Sequence, residues 1–121
     1  MNSILISVKK LLGLTEEYTV FDPDIIMHIN ATFMVLNQLG VGPTDGFFIA
    51  DARALWSDYL GDDKSIEAVK TYVASKVRLA FDPPTSSAHV EALNGIIAEF
   101  EWRLMVAKDP YPFRKEEIQN G

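Results

Sequence analysis

Histidines, paired carboxylates and glycine-rich turns are the residue types here that could do chemistry, and none has the spacing that chemistry requires. His28 and His89 each stand alone on a predicted helix. A helical zinc site needs ligands three or four residues apart, because only those share a face. Neither histidine has a histidine partner at that distance, so structural roles are expected for both. His89 lies near the apolar stripe of its helix and reads as a hydrogen-bonded core histidine. The chain has no cysteine, which removes disulfides, thiol nucleophiles and every cysteine-containing zinc site. Glu16-Glu17, Asp62-Asp63 and Glu116-Glu117 are adjacent pairs. Adjacent residues on a helix point in different directions, so these read as caps and solvated loops rather than acid–base pairs. Gly40-Val41-Gly42-Pro43 lacks the Lys-Ser/Thr of a phosphate-binding loop, and its proline removes a donor. No Gly-x-Ser-x-Gly elbow is present. No catalytic residue, metal site or cofactor is expected.

Charge narrows the partners. The 121 residues carry a net −6, with only 11 Lys and Arg. Nucleic-acid affinity rests on basic residues neutralising phosphates, so the chain is poorly suited to grip DNA or an anionic membrane. A helix-turn-helix regulator would need a basic recognition helix, which is missing. Apolar residues make up 48% and charged residues 23%, a globular composition. This length fits one domain. No apolar run approaches a membrane span. The first lysines follow the apolar Ile4-Leu5-Ile6 stretch, whereas a signal peptide has them before it. A product without an export signal is expected.

The elements that must position these residues all read as helices. Ile4, Leu5, Val8, Leu11 and Leu12 recur at helical spacing over 3–12, with Ser3 as cap and Gly13 as stop. The phrase Phe-Asp-Pro occurs at 21–23 and again at 81–83. An aspartate cap followed by proline marks a helix start, and Phe21 can staple onto Ile26. The strongest helix spans 23–39 and stops at Gly40. Its core stripe is Ile25, Ile29, Phe33 and Leu36, while Met27, Ala31 and Met34 lie on roughly the opposite face. A helix apolar on two sides is buried on two sides, the second facing either the same core or a neighbouring subunit, with the subunit contact favoured.

Beyond a turn-rich loop at 41–46, Phe47-Phe48-Ile49 reads as a brief extended piece. Asp51 is expected to cap a short helix through Leu60, closed by Gly61, with Trp56 and Tyr59 on one face. Asp62 or Asp63 is expected to cap a helix to about Ala80 with core residues Ile66, Val69, Val73, Val77 and Ala80; Tyr72 and Leu79 fall off that stripe. After Pro83-Pro84, Thr85 or Ser86 caps the last helix, 87–107, with Leu93, Ile96, Ile97, Phe100 and Leu104 inward. Gly95, Trp102 and Val106 fall on another face, which suggests a docking point there. The expected fold is all-α, a small bundle of four to five helices forming one domain at 1–107, with an extended C-terminal arm at 108–121.

Two stretches carry a resemblance. One is Ser7-Val8-Lys9-Lys10-Leu11-Leu12-Gly13, continuing into Phe21-Asp22-Pro23-Asp24-Ile25-Ile26 and Leu36-Asn37-Gln38-Leu39-Gly40-Val41-Gly42-Pro43. The other is Val69-Lys70-Thr71-Tyr72-Val73, then Lys76-Val77-Arg78-Leu79-Ala80-Phe81-Asp82-Pro83-Pro84 and Glu99-Phe100-Glu101-Trp102-Arg103-Leu104. In this order and spacing, over residues 4–105, they resemble the head–tail connector (adaptor) proteins of long-tailed bacteriophages and prophages.

The resemblance implies a non-enzymatic virion protein of the neck region, assembled in the host cytoplasm. It implies a homo-oligomeric ring, twelve subunits in the family, that docks under the portal protein and extends the DNA channel. A stopper or tail protein would dock below, and DNA would pass without specific binding. Met27, Met34, Tyr72, Trp102 and Met105 would supply subunit contacts, with Trp56 and Trp102 as dominant aromatics. The arm would contact the portal through Tyr111, Phe113, Arg114 and Lys115. The alternative is a small helical regulator or adaptor binding a single protein partner.

Overall fold

The computed structural model describes residues 3–61 and 64–108. They form five helices: α1 (Ile4–Leu11), α2 (Asp22–Gln38), α3 (Trp56–Leu60), α4 (Ile66–Phe81) and α5 (Ser87–Lys108). Among the described residues the extended pairing is a single bridge between Ser3 and Leu55. The fold is therefore the expected all-α bundle.

Helix α4 takes the centre, packed against α1, α2 and α5. The pairs α2–α4 and α4–α5 run antiparallel. Phe21 at the start of α2 meets Phe81 at the end of α4, and Tyr72 early in α4 reaches Glu101 late in α5. The inward stripes are Ile25, Ile29, Phe33 and Leu36 of α2, Val69, Val73 and Val77 of α4, and Ile97 and Leu104 of α5. Full burial of one such side chain stabilises by about 1.5–3 kcal/mol. Phe33 is the hub, its ring 4.5 Å from Tyr59, 5.4 Å from Phe47 and 6.4 Å from Trp56.

Helix α1 is tied at its N-terminus to the segment before α3. The Ser3 hydroxyl donates to the Ala52 carbonyl at 2.7 Å and accepts from the Ile6 N–H, so Ser3 is the cap the sequence predicts. The Ile4 N–H donates to Ala54 O, and the Trp56 indole N–H donates to the Ser7 hydroxyl at 2.9 Å. The segment after α2 is held by Asn30, whose side chain brackets Ile49: Nδ2 donates to its carbonyl at 3.0 Å and Oδ1 accepts from its N–H at 2.8 Å. Gly42, at φ +86°, lets the loop pass over Tyr59; a Cβ there would lie 2.5 Å from the ring.

Several local expectations change. Asp22 is not a cap: α2 begins at Asp22 itself, with Phe21 in the cap position and no side-chain capping bond. The carboxylate instead sits 2.9 Å from the ammonium of Lys9, which is almost fully buried and also donates to the Glu16 carbonyl at 2.9 Å. A buried ammonium needs an anionic partner more than a helix end needs one cap.

The second Phe-Asp-Pro ends a helix rather than starting one. Phe81 is the last residue of α4 and Asp82 its C-cap, because proline cannot continue the helix. Ser86 does cap α5, its hydroxyl accepting from the His89 N–H. Helix α3 is shorter than expected: Asp51 folds onto Arg53 in a local turn, while the Asp58 carboxylate holds the Leu55 N–H at the helix start. Asp62 and Asp63 lie outside the described residues. His89 and Ala80 are exposed rather than in the core, and so is Ile96. The residues of the expected arm from 109 onward also lie outside the described residues.

Candidate assembly surfaces

A bundle in which α4 is buried on several sides leaves the outer flanks of α2 and α5 as the places where apolar side chains meet solvent. On α2, Met27 and Met34 are 59% and 55% exposed. They stand seven residues apart, two helical turns along one face, and opposite the core stripe. On α5, Trp102 is 54% exposed, with Met105 one turn on and Gly95 two turns before it. Large apolar groups clustered outside the core on two separate flanks are the features that mark interaction surfaces. These four residues lie where the sequence places them.

Tyr72 does not belong with them. It is 0% exposed, wedged between α4 and α5, and its hydroxyl donates to Glu101 Oε2 at 2.7 Å. Burial, then the hydrogen bond to Glu101, then the Glu101 charge hold its proton on, pushing its pKa well above the ordinary tyrosine range. Trp56 is likewise a core residue, with its ring against Phe33 and its N–H bonded to Ser7, so it supplies no contact surface. Tyr111, Phe113, Arg114 and Lys115 lie outside the described residues.

Sequence reasoning missed Phe48, which is 61% exposed beside α2. Phe47 turns inward onto Phe33 and Tyr59, and extended backbone sends the next side chain to the opposite side. Phe48, Phe47, Met34, Asn37 and Asp45 line a hollow of about 160 Å³ on the flank of α2 turned away from α4. A second groove of about 290 Å³ runs between α2 and α4, lined by His28, Thr32, Val35, Lys76 and Leu79. The Thr32 hydroxyl there is already bonded to the His28 carbonyl.

Among the described residues no group of histidine and acidic side chains could hold a metal ion. No described helix is long and apolar enough to cross a membrane. Among the described residues the hollows do not bring together an acid, a base and a nucleophile; the arrangement is a small bundle with outward apolar flanks. The comparison of sequences agrees: the family of phage connector proteins matches residues 4–111. The chain belongs to that family, a structural rather than catalytic one. No curated protein and no solved structure matches.

Proposed function

We propose that the chain is one subunit of a closed connector ring that docks under the portal, extends the DNA channel and joins phage head to tail. The observation that carries this is the pair of apolar flanks, α2 with Met27 and Met34 and α5 with Trp102 and Met105, on two different helices that both pack against α4. A closed ring requires each subunit to present two different patches, one to each neighbour. A two-fold dimer, or an adaptor for one partner, needs only one.

Charge supports the same reading. Twelve copies at −6 each would carry roughly −70, a field that repels phosphate and lets duplex slide past. The portal above and a stopper or tail protein below would be the partners, and the virion neck the location.

Light scattering on the purified full chain, alone and mixed with the portal protein of the same phage, tests this. A ring-sized mass in either sample is the expected result. A monomer or dimer in both would favour the single-partner adaptor.

A further inference from the structure

We propose that the hollow on the outer flank of α2 receives Trp102 from α5 of a second copy of this chain. This rests on the ring reading and names the two surfaces that meet. Three observations carry it.

The first is placement. The hollow opens on the side of α2 opposite its α4-facing groove, whose wall includes His28, Thr32 and Val35. Trp102 projects from the side of α5 opposite Leu104 and Ile97, which face inward. The two surfaces therefore both face outward from the bundle, and Trp102 does not line the hollow within one subunit. Copies joined this way associate head to tail, the arrangement that closes rings.

The second is chemistry. An indole buried at an interface needs an acceptor for its N–H. The hollow offers apolar walls in Met34, Phe47 and Phe48 with acceptors at the rim. Asn37 donates its amide to Pro43 and Thr44 carbonyls, so that amide nitrogen is occupied while the side-chain oxygen is left to accept. Asp45 stands beside it.

The third is charge. Asp45 has no cationic partner among the described residues. Arg103, next to Trp102, is held only by an exposed contact to Glu99 at 2.6 Å. An exposed pair of that kind is weak, so the guanidinium is free to turn to a neighbour's Asp45 as the indole enters. Trp and Arg are residue types that anchor interfaces, and the long Arg103 side chain can swing toward the face that carries Trp102.

The absence of native cysteine makes disulfide trapping clean. Full-length Phe48→Cys and Met105→Cys chains, one carrying a size tag, are mixed under mild oxidation, alone and with the portal protein. The expected product is a mixed disulfide between the two chains, with little of either self-linked dimer. In parallel, Trp102→Ala is expected to raise the concentration for half-assembly by about thirtyfold, with the circular dichroism spectrum unchanged. Asp45→Arg and Arg103→Asp each weaken assembly, and mixing the two variants restores it where each meets the other. Rings that form without the mixed disulfide and without charge rescue overturn this pairing and leave the ring reading standing. Trapping of Met105→Cys to the portal instead overturns it in favour of a portal contact. Wild-type chain that stays monomeric with and without portal overturns both.

Discussion

The α1–α3 half of the molecule and helix α5 are built on opposite plans. In the first, eight residues of α1 bury Ile4, Leu5, Val8 and even Lys9, and Ser3, Ser7, Asn30 and Trp56 close hydrogen bonds across segments far apart in sequence. In the second, a helix of 22 residues fully buries only Ile97 and Leu104 among its apolar side chains described. The lesson is that the two regions divide the work unequally: the first closes the core while keeping one apolar flank on α2, whereas α5 is mostly surface.

The sharpest way to break that comparison is at its hub. Phe33→Ala should cost about 3–5 kcal/mol of stability, read as a large drop in the urea midpoint. A loss under 1 kcal/mol would mean that the aromatic cluster does not organise the core.

Next comes the buried ion pair. Lys9→Met leaves Asp22 facing an apolar side chain and should cost about 3 kcal/mol, while the double change with Asp22→Asn should recover most of it. A double variant no better than the single one would show that the Lys9–Asp22 contact carries no energy of its own.

Tyr72→Phe is smaller, about 1.5–2 kcal/mol, the low end for a hydrogen bond to a charged acceptor. It also has a pH signature. The folded state holds the Tyr72 proton more tightly than the unfolded state, as it does for Tyr59 by burial. Above the ordinary tyrosine value of about 10 the unfolded chain therefore binds fewer protons, and stability falls as pH rises. Below that value the contribution is fully present. Tyr72→Phe should flatten part of this alkaline slope in denaturant titrations run at several pH values.

The smallest expected effect on the subunit is Trp102→Ala, within about 0.5 kcal/mol, although assembly suffers. If thermal unfolding of the isolated subunit collapses instead, α5 is part of the stable half and the division fails.

Helix existence and the main stripes were legible because Ile25, Ile29, Phe33 and Leu36 obey the helical period without interruption. The Met27 and Met34 flank was legible for the same reason. What periodicity could not reveal is how many sides of a helix are covered. Tyr72 lies off the stripe of α4, yet α4 is packed by three helices and encloses it. Trp56 follows the same logic on α3. Phe-Asp-Pro carries a cap, a staple and a stop signal at once, and tertiary demand chose between them: Lys9 claimed Asp22, while the turn to α5 claimed Asp82. Phe48 was unreadable because two adjacent phenylalanines in a loop give no hint of which turns inward.

The contact between Phe21 and Phe81, with ring centroids 5.3 Å apart and nearly edge-to-face, acts as an index mark between α2 and α4. Sliding one helix past the other by a turn, 5.4 Å, would carry the rings out of contact. The pin therefore locks the axial phase of α2 against α4, while the Tyr72–Glu101 bond does the same for α4 against α5. Together they fix how far along the bundle axis the α2 flank stands from the α5 flank. In the proposed ring that offset would be the step from one copy to the next, so two small contacts would decide whether the circle closes flat or climbs.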